Sequence, residues 1–155
     1  MTPVRAWLSS YWGHDGADKC IDGVTKGTMK DTCNSKSERA PWLALDYGKK
    51  ARVSVEKVVL FSRPDDPLWA QSWAAIENIQ IRLSNELPTT GKAMFWGGKA
   101  LGSFKGPATL GEQVEIYSGP GWEKKAGRYL IIQMNFGSSQ PLALMEAYAV
   151  GQNKI

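Results

Sequence analysis

The stretch Tyr129–Met134, YLIIQM, is a run of apolar residues interrupted only by Gln133. A short apolar run of this kind is typical of a β-strand that is buried on both faces, so we predict a central strand here. Earlier in the chain, Ile79–Leu83 and Val114–Tyr117 alternate apolar and polar residues with a period of two. Such alternation indicates strands that bury one face and expose the other.

Three further segments are predicted as strands: Trp42–Tyr47, Ala51–Phe61 and Leu142–Val150. The alternation slips at Glu56-Lys57, which indicates a bulge or a break. Turn signals rich in glycine and proline separate the strands: Gly97-Gly98, Gly106-Pro107 and Gly119-Pro120-Gly121. The helical candidate is Pro67–Asn78, where we expect a loop with one or two helical turns. Many short strands with such turns predict an all-β sandwich or barrel.

Length and composition fit one globular domain over residues 1–155, with its core at about residues 4–151. Hydrophobic residues make up 43% of the chain. No apolar run approaches the roughly 18 residues that cross a bilayer. Met1–Ser10 lacks the apolar core of a signal peptide, so the protein is either made without one or is a mature secreted domain.

The formal charge of +4 is mild, and most basic residues are scattered along the chain. A nucleic-acid binder would show a basic stripe, so no nucleic-acid partner is predicted. The one local excess comprises four residues within a window of fourteen: Lys26, Lys30, Lys36 and Arg39. They form either a solvated loop or a patch for an anionic ligand, such as an acidic glycan or lipid headgroups.

The sequence carries none of the catalytic patterns considered. His14 is the single histidine, and no CxxC, HExxH or GxSxG pattern occurs. No pattern sets the pair Asp65-Asp66 or the pair Asp15 and Asp18 across a cleft, as glycoside hydrolysis would need. We therefore predict that the chain is not an enzyme.

Cysteines and tryptophans leave alternatives open. Cys20 and Cys33 are either bridged to each other or both free.

Most of the seven tryptophans should be buried, because large aromatic side chains are rarely left exposed. We expect Trp7 and Trp42 in the core. Trp12, Trp69 and Trp73 either pack inward or line a ligand site.

Six segments, in order, resemble the discoidin (coagulation-factor C-type) and fucose-lectin domain family. They are Ser9–Gly23 (SSYWGHDGADKCIDG), Asp31–Gly48 (DTCNSKSERAPWLALDYG), Val55–Asp65 (VEKVVLFSRPD), Ile79–Asn85 (IQIRLSN), Gly127–Met134 (GRYLIIQM) and Pro141–Gly151 (PLALMEAYAVG). The resemblance covers about Val4–Gly151. It implies a galactose-binding-domain-like jelly-roll β-sandwich of about eight main antiparallel strands, with binding loops gathered at one end.

The resemblance also implies a structural calcium ion between an N-terminal loop and the last strand. Side-chain ligands would come from Asp22, Thr32 and Glu146, and backbone carbonyl ligands from Lys19, Val24 and Met145. Calcium binds six to eight hard oxygens of this mixed kind. The alternative is that Asp22 caps a turn and Glu146 is an exposed strand residue.

The resemblance also implies a glycan site, at the end of the sandwich where the binding loops gather. Arg63 and Asp65 match the Arg-x-Asp element of fucose lectins, but Asn34, Ser35 and Lys36 occupy the loop where those lectins have a histidine. Ala70 replaces a second basic residue. The carbohydrate-binding candidates are Arg63, Asp65, Asn34, Ser35, Trp69, Trp12 and His14.

These features predict an extracellular or secreted lectin-type module that binds carbohydrate and is stabilised by calcium. Its partner would be a glycan of the fucose or galactose type, acidic glycans included. The first alternative is a cell-adhesion module that meets an anionic membrane surface through Leu68, Trp69 and the Lys26–Arg39 cluster. The second is a protein-interaction domain that binds no sugar.

Overall fold

The computed structural model describes residues 1–64, 76–89, 97–135 and 139–154. This part of the chain forms nine β-strands and three short 3₁₀ helices, labelled η. In chain order they are β1 (Arg5–Leu8), η1 (Ala17–Ile21), η2 (Met29–Asp31), β2 (Cys33–Asn34), β3 (Trp42–Asp46), β4 (Val53–Ser62), β5 (Ile79–Ser84), β6 (Lys99–Phe104), β7 (Gln113–Tyr117), η3 (Trp122–Lys124), β8 (Tyr129–Met134) and β9 (Ala143–Asn153). Among these residues, no helix has the length and apolar character that a membrane span requires.

The strands form two antiparallel sheets. The five-stranded sheet has the order β1-β3-β8-β5-β6, and the four-stranded sheet has the order β2-β9-β4-β7. β8 lies at the centre of the larger sheet, pairs with β3 and β5, and is buried along its whole length. The central strand predicted from its apolar run is therefore confirmed.

The main core lies between the two sheets and is built mostly from alternate residues of their strands. The β4–β9 pairing shifts register between Phe61 and Ser62, and Leu144 and Ala147, three positions apart, both belong to the core. The larger sheet contributes Leu43, Leu45, Leu130 and Ile132, and the smaller sheet contributes Val58, Leu60, Leu144 and Ala147. All eight are fully buried. Burying a leucine, isoleucine or valine side chain stabilises a fold by about 1.5–3 kcal/mol relative to leaving it exposed, so this layer holds the sandwich together.

The bulge predicted at Glu56-Lys57 is confirmed. The pairing of β4 with β9 shifts register between Val55 and Lys57. In contrast, β2 and β6 were not predicted as strands. β6 is an edge strand in which only Leu101 is buried, so it carries little apolar alternation. The helical candidate Pro67–Asn78 lies almost entirely outside the described residues.

A second, smaller core covers the outer face of the five-stranded sheet. Trp42, Ala44, Tyr129 and Ile131 form it, and the half-buried Trp7 packs against them. Trp42 is fully buried, as expected. Both tryptophans lie outside the main core, because their strand positions alternate with the residues that face the other sheet.

An ion pair joins β3 to the start of β8 at the end of this outer layer. Arg128 donates from Nε and Nη2 to the two carboxylate oxygens of Asp46, at 2.8 and 2.7 Å. Burial alone would raise the pKa of Asp46, but the hydrogen bonds from Arg128 and from the Gly48 N–H outweigh it and hold that pKa below its usual value. The pair therefore stabilises the fold above the pKa of an unfolded aspartate, and its contribution is lost as the pH falls through the lower folded-state pKa.

We expect Asp46→Asn to lower the free energy of unfolding by about 2 kcal/mol at neutral pH, because it leaves Arg128 with a neutral partner. The difference from the wild type should shrink in acid, where the wild-type carboxyl is itself protonated. Urea denaturation of both proteins at several pH values measures this. Glu115→Gln is the matched control: it removes the more exposed ion pair with Lys57, and we expect a clearly smaller loss because solvent screens that pair. A pH-independent effect of Asp46→Asn would contradict the assignment.

Candidate functional site

Backbone hydrogen bonds gather several loops at one end of the sandwich, called here the loop end. The loop after β1 pairs with β2, because Trp12 N donates to Asn34 O at 3.0 Å and Asn34 N donates to Asp15 O at 3.4 Å. Leu144 of β9 pairs with Cys33 on one side and with Ser62 on the other. Asn34 and Arg63 therefore leave the sheet on either side of β9, two strand spacings or roughly 10 Å apart.

The first loop presents an aromatic ring to solvent. Asp15 N donates to Trp12 O at 3.1 Å, which closes a tight turn, and Gly13 within it has φ +57°. Glycine adopts this left-handed conformation at little cost. Trp12 remains 62% exposed, and His14 beside it is also exposed. The turn thus holds an indole and an imidazole outward on a backbone fixed by hydrogen bonds.

Asn34 lies at the centre of a polar network beneath this turn. Its side-chain amide donates to Asp15 Oδ2 and to Thr32 Oγ1, both at 3.0 Å. Lys19 Nζ in turn contacts Asp15 Oδ1 at 3.3 Å and donates to Lys30 O at 2.5 Å. Asp15 was not among the predicted site residues, and the sequence signal that could have found it is its place one residue after His14 in the predicted loop.

Ser35 is held inside the fold. It is fully buried, its hydroxyl donates to Lys36 O at 2.9 Å, and it accepts from Leu142 N at 2.9 Å. The Ser35 side chain therefore positions the loop, and we do not include it among the groups that face solvent.

Glu38 anchors the next part of this loop and was missed from the sequence. Its Oε1 accepts hydrogen bonds from Ser9 Oγ at 2.5 Å and Ser10 Oγ at 2.7 Å. The two hydroxyls accept in turn from the N–H groups of Trp42 and Lys36, respectively, at 3.1 and 3.0 Å. Ser9 and Ser10, where the first segment of the family resemblance begins, thus tie the loop to β1 and β3.

Arg63 follows β4 directly and is largely buried, with an exposed fraction of 8%. Its carbonyl accepts from Gly111 N at 3.0 Å, which joins it to the loop before β7. Only a small part of the side chain is within reach of a ligand, less than expected for a primary anchor. Asp65 and Trp69, predicted beside it, lie outside the described residues, as does Trp73.

A disulfide bond fixes the N-terminal segment to the sandwich. Cys20 in η1 is bonded to Cys33 in β2, with their Cα atoms 5.4 Å apart. Of the two alternatives that the sequence left open, the bridge is therefore correct. The two cysteines are 13 positions apart in the sequence, and the predicted side-chain ligands Asp22 and Thr32 lie between them.

One of the predicted metal ligands is a buried carboxylate. Glu146 in β9 is only 6% exposed, so it is not an exposed strand residue. Its Oε2 accepts from Gly23 N at 2.9 Å. Burial first, and the neighbouring Asp22 carboxylate second, raise the pKa of Glu146 to about 7. A bound cation would stabilise the charged forms of the neighbouring Glu146 and Asp22 carboxylates.

The remaining predicted ligands fit this arrangement in part. Thr32 is fully buried, and its hydroxyl oxygen accepts from Asn34. Val24 N donates to Asp22 Oδ1 at 2.9 Å, so Asp22 also caps a turn. Met145 is fully buried, and Lys19 directs its ammonium group to Asp15 and Lys30, which leaves only backbone carbonyls as donors from these two residues. Within the described residues no three His, Cys, Asp or Glu side chains form a metal-binding group, so a site here depends on hydroxyl and carbonyl oxygens.

Comparison with solved structures identifies the fold. The lectin domain of lectinolysin, solved with the Lewis b antigen, matches with a TM-score of 0.69 and 20% identity over 96% of this chain and 92% of its own. A fucolectin from the serum of striped bass, Morone saxatilis, has a TM-score of 0.73 and 19% identity over 95% of this chain and 46% of its own. A chitosan-binding module from a Paenibacillus chitosanase/glucanase has a TM-score of 0.65 and 17% identity over 97% and 96%.

These similar structures share one architecture, the galactose-binding-like, discoidin-type β-sandwich. The chain has this fold, which confirms the class predicted from the sequence. No protein-family model and no curated protein matches the sequence.

The double variant Cys20→Ser/Cys33→Ser should be less stable by about 3 kcal/mol, because the bridge limits the freedom of a short loop in the unfolded chain. For a domain of this size the melting temperature should fall by about 2–4 °C for each kcal/mol. Thermal denaturation followed by circular dichroism measures the change. A reductant should lower the melting temperature of the wild type and leave the double variant unchanged; equal responses would show that the bridge does not form in solution.

Proposed function

We propose that the chain is a carbohydrate-binding module that holds a glycan at the loop end. The observation that carries this proposal is Trp12, 62% exposed on a turn whose backbone is fixed by hydrogen bonds. A flat indole face packs well against the C–H face of a sugar ring, and its N–H can donate to a hydroxyl. A ring held in place loses little freedom on binding.

Polar groups around Trp12 suit a ligand rich in hydroxyls. His14 is exposed on the same turn, and Asn34 and Asp15 lie directly behind it. Neutral imidazole both donates and accepts hydrogen bonds, as sugar hydroxyls do. The structures with the same fold are described as a domain complexed with Lewis b, a fucolectin and a chitosan-binding module, and these descriptions support a glycan of the fucose or amino-sugar type.

We propose binding without catalysis. His14 and Asp15 are the titratable pair of the turn, but both oxygens of the Asp15 carboxylate accept hydrogen bonds from within the fold, from Lys19 and from Asn34. A general base must reach a proton on the substrate. We therefore assign Asp15 a positioning role, in which it fixes Asn34 and the turn below the ligand.

The Trp12→Ala protein should bind its glycan about tenfold more weakly, the equivalent of about 1.4 kcal/mol of lost contact. A glycan array that includes fucosylated, galactosylated and acidic sugars first identifies the glycan, and isothermal titration calorimetry then measures the affinity of each variant.

Tyr117→Ala is the matched control for this experiment. Tyr117 is 60% exposed, almost the same as Trp12, but it lies on β7. The control should bind like the wild type. Equal losses in the two variants, or no binding to any glycan together with binding to anionic vesicles, would reject the proposal.

We propose further that a calcium ion stabilises the loop end. Asp22, Thr32 and Glu146 would supply side-chain oxygens, with backbone carbonyls of Lys19, Val24 and Met145 completing the set. The support is the buried Glu146 carboxylate next to Asp22 and the hard-oxygen character of the donors. Bound calcium would supply positive charge, and through Thr32 and Asn34 it would steady the turn that carries Trp12.

Calcium should raise the melting temperature and a chelator should lower it, since an ion that binds the folded state stabilises it by mass action. At a hundredfold excess over the dissociation constant the gain is about 2.7 kcal/mol, which corresponds to roughly 5–10 °C. Asp22→Asn keeps an oxygen for the Val24 N–H but removes the charge, so it should abolish the response. Asp18 is an exposed carboxylate of the nearby η1, and the control Asp18→Asn should retain the response. A wild-type melting curve that calcium does not move would contradict the site.

We also propose an extracellular or secreted location. The Cys20–Cys33 bridge supports it, because disulfide bonds form and persist in oxidising compartments.

A further inference from the structure

The end of the sandwich opposite the loop end is strongly basic. Six cations lie there, on the connection between β3 and β4, in and after η3, and beyond β9. We call them the basic pole: Lys49, Lys50, Arg52, Lys124, Lys125 and Lys154. Glu123 is the one carboxylate within these segments, so the local charge is +5, against +4 for the whole chain. The rest of the protein is close to neutral.

Backbone contacts bring the segments of the basic pole together. Lys154 N donates to Arg52 O at 2.6 Å, and Lys154 Nζ contacts Glu123 O. Ser54 Oγ donates to Lys125 O at 2.7 Å, which fastens the chain after η3 to β4. Lys49 and Lys50 line one hollow with Asn153, of about 320 Å³. The cations thus share one continuous surface rather than separate loops.

No carboxylate of the described residues forms an ion pair with these cations. Lys49, Lys50, Arg52, Lys124 and Lys154 are exposed and Lys125 is half-buried. The ion pairs found in the described part of the chain lie elsewhere: Lys19–Asp15, Lys57–Glu115 and Arg128–Asp46. The ammonium groups of Lys125 and Lys154 donate to backbone carbonyls, which leaves their charge uncompensated. A cluster of like charges repels itself, and an anionic partner relieves that repulsion.

We propose that the basic pole binds an acidic polysaccharide, a polymer that carries carboxylate or sulfate groups, independently of the glycan at the loop end. Five of the six cations are lysines, which act as point charges, whereas arginine is preferred where phosphate is held by paired hydrogen bonds. A membrane surface would call for exposed Trp, Phe or Leu side chains beside the cations. In the described residues the large exposed aromatic and leucine side chains are Tyr11, Trp12, Leu110, Tyr117 and Tyr148, and none of them belongs to the segments of the pole.

Distance separates this surface from the proposed glycan site. β4 runs ten residues from Val53 to Ser62, with Arg52 at one end and Arg63 at the other. At about 3.3 Å per residue the two ends are roughly 30 Å apart. This exceeds the Debye length of about 8 Å at physiological salt, so the two ends can be occupied at the same time without electrostatic interference.

Binding to heparin (sulfated), polygalacturonate (carboxylated) and neutral dextran tests the proposal by calorimetry. The wild type should bind at least one acidic polymer and not dextran. Its affinity should fall more than tenfold from about 0.1 to about 1 M salt, as the Debye length shortens from about 10 to about 3 Å. The triple variant Lys49→Glu/Lys50→Glu/Lys154→Glu should bind about tenfold more weakly or worse, while its loop-end glycan binding stays unchanged.

The matched comparison is Lys26→Glu/Lys30→Glu/Lys105→Glu, which changes the net charge equally at exposed positions outside the pole. It also removes two members of the Lys26–Arg39 cluster, the other surface that the sequence offered for an anionic ligand, so it tests the pole against that cluster. It should bind within about twofold of the wild type, because surface charges act mainly over short distances. Circular dichroism checks the folding of both, and a Gln series at the same pole positions replaces the Glu series if that variant is unfolded. Equal losses in the two variants, no wild-type binding to either acidic polymer, or tighter binding to anionic vesicles or duplex DNA at equal anion concentration would overturn the proposal.

Discussion

The Cys20–Cys33 bridge is the constraint on which the loop end depends. It joins η1 to β2, and β2 is a strand of only two residues that pairs with β9. So short a strand has few ladder hydrogen bonds to hold it, and a covalent link to η1 compensates by limiting the freedom of the segment between them. The turn that carries Trp12 hydrogen-bonds to Asn34 of β2, so its position is set by this same strand.

The sandwich keeps the loop end and the basic pole apart. β4 and β9 run the length of the smaller sheet, and their pairing extends from Val53–Asn153 at one end to Ser62–Leu144 at the other. Polar, hydrogen-bonded loops and an exposed indole lie at the second end, and the cations of the basic pole lie at the first. A rigid body with chemically different ends can hold two different polymers, which is how we interpret the charge distribution.

Much of the fold could be predicted from the sequence, because the strands that form the core carry strong periodic signals. β8 has the bounds of its apolar run, and the slip at Glu56-Lys57 marks a real bulge. β6 and β2 could not be found this way, since an exposed edge strand and a two-residue strand have no such period. In the candidate site, the sequence led to Trp12, His14 and Asn34. It could not show that Asn34, Ser35 and most of Arg63 are buried or that Glu38 binds two serines, because these facts depend on how distant segments pack.

The glycan site at the loop end is the central claim, and NMR mapping tests it most directly. A ¹⁵N-labelled sample is titrated with the glycan that gives the strongest array signal, and shifts of backbone, indole and amide signals are followed. We predict that the largest shifts are at the Trp12 indole N–H and the Asn34 side-chain amide, with the signals of Lys49, Lys50 and Lys154 unchanged. Shifts concentrated on the outer faces of the sheets or at the basic pole, with Trp12 unaffected, would contradict it.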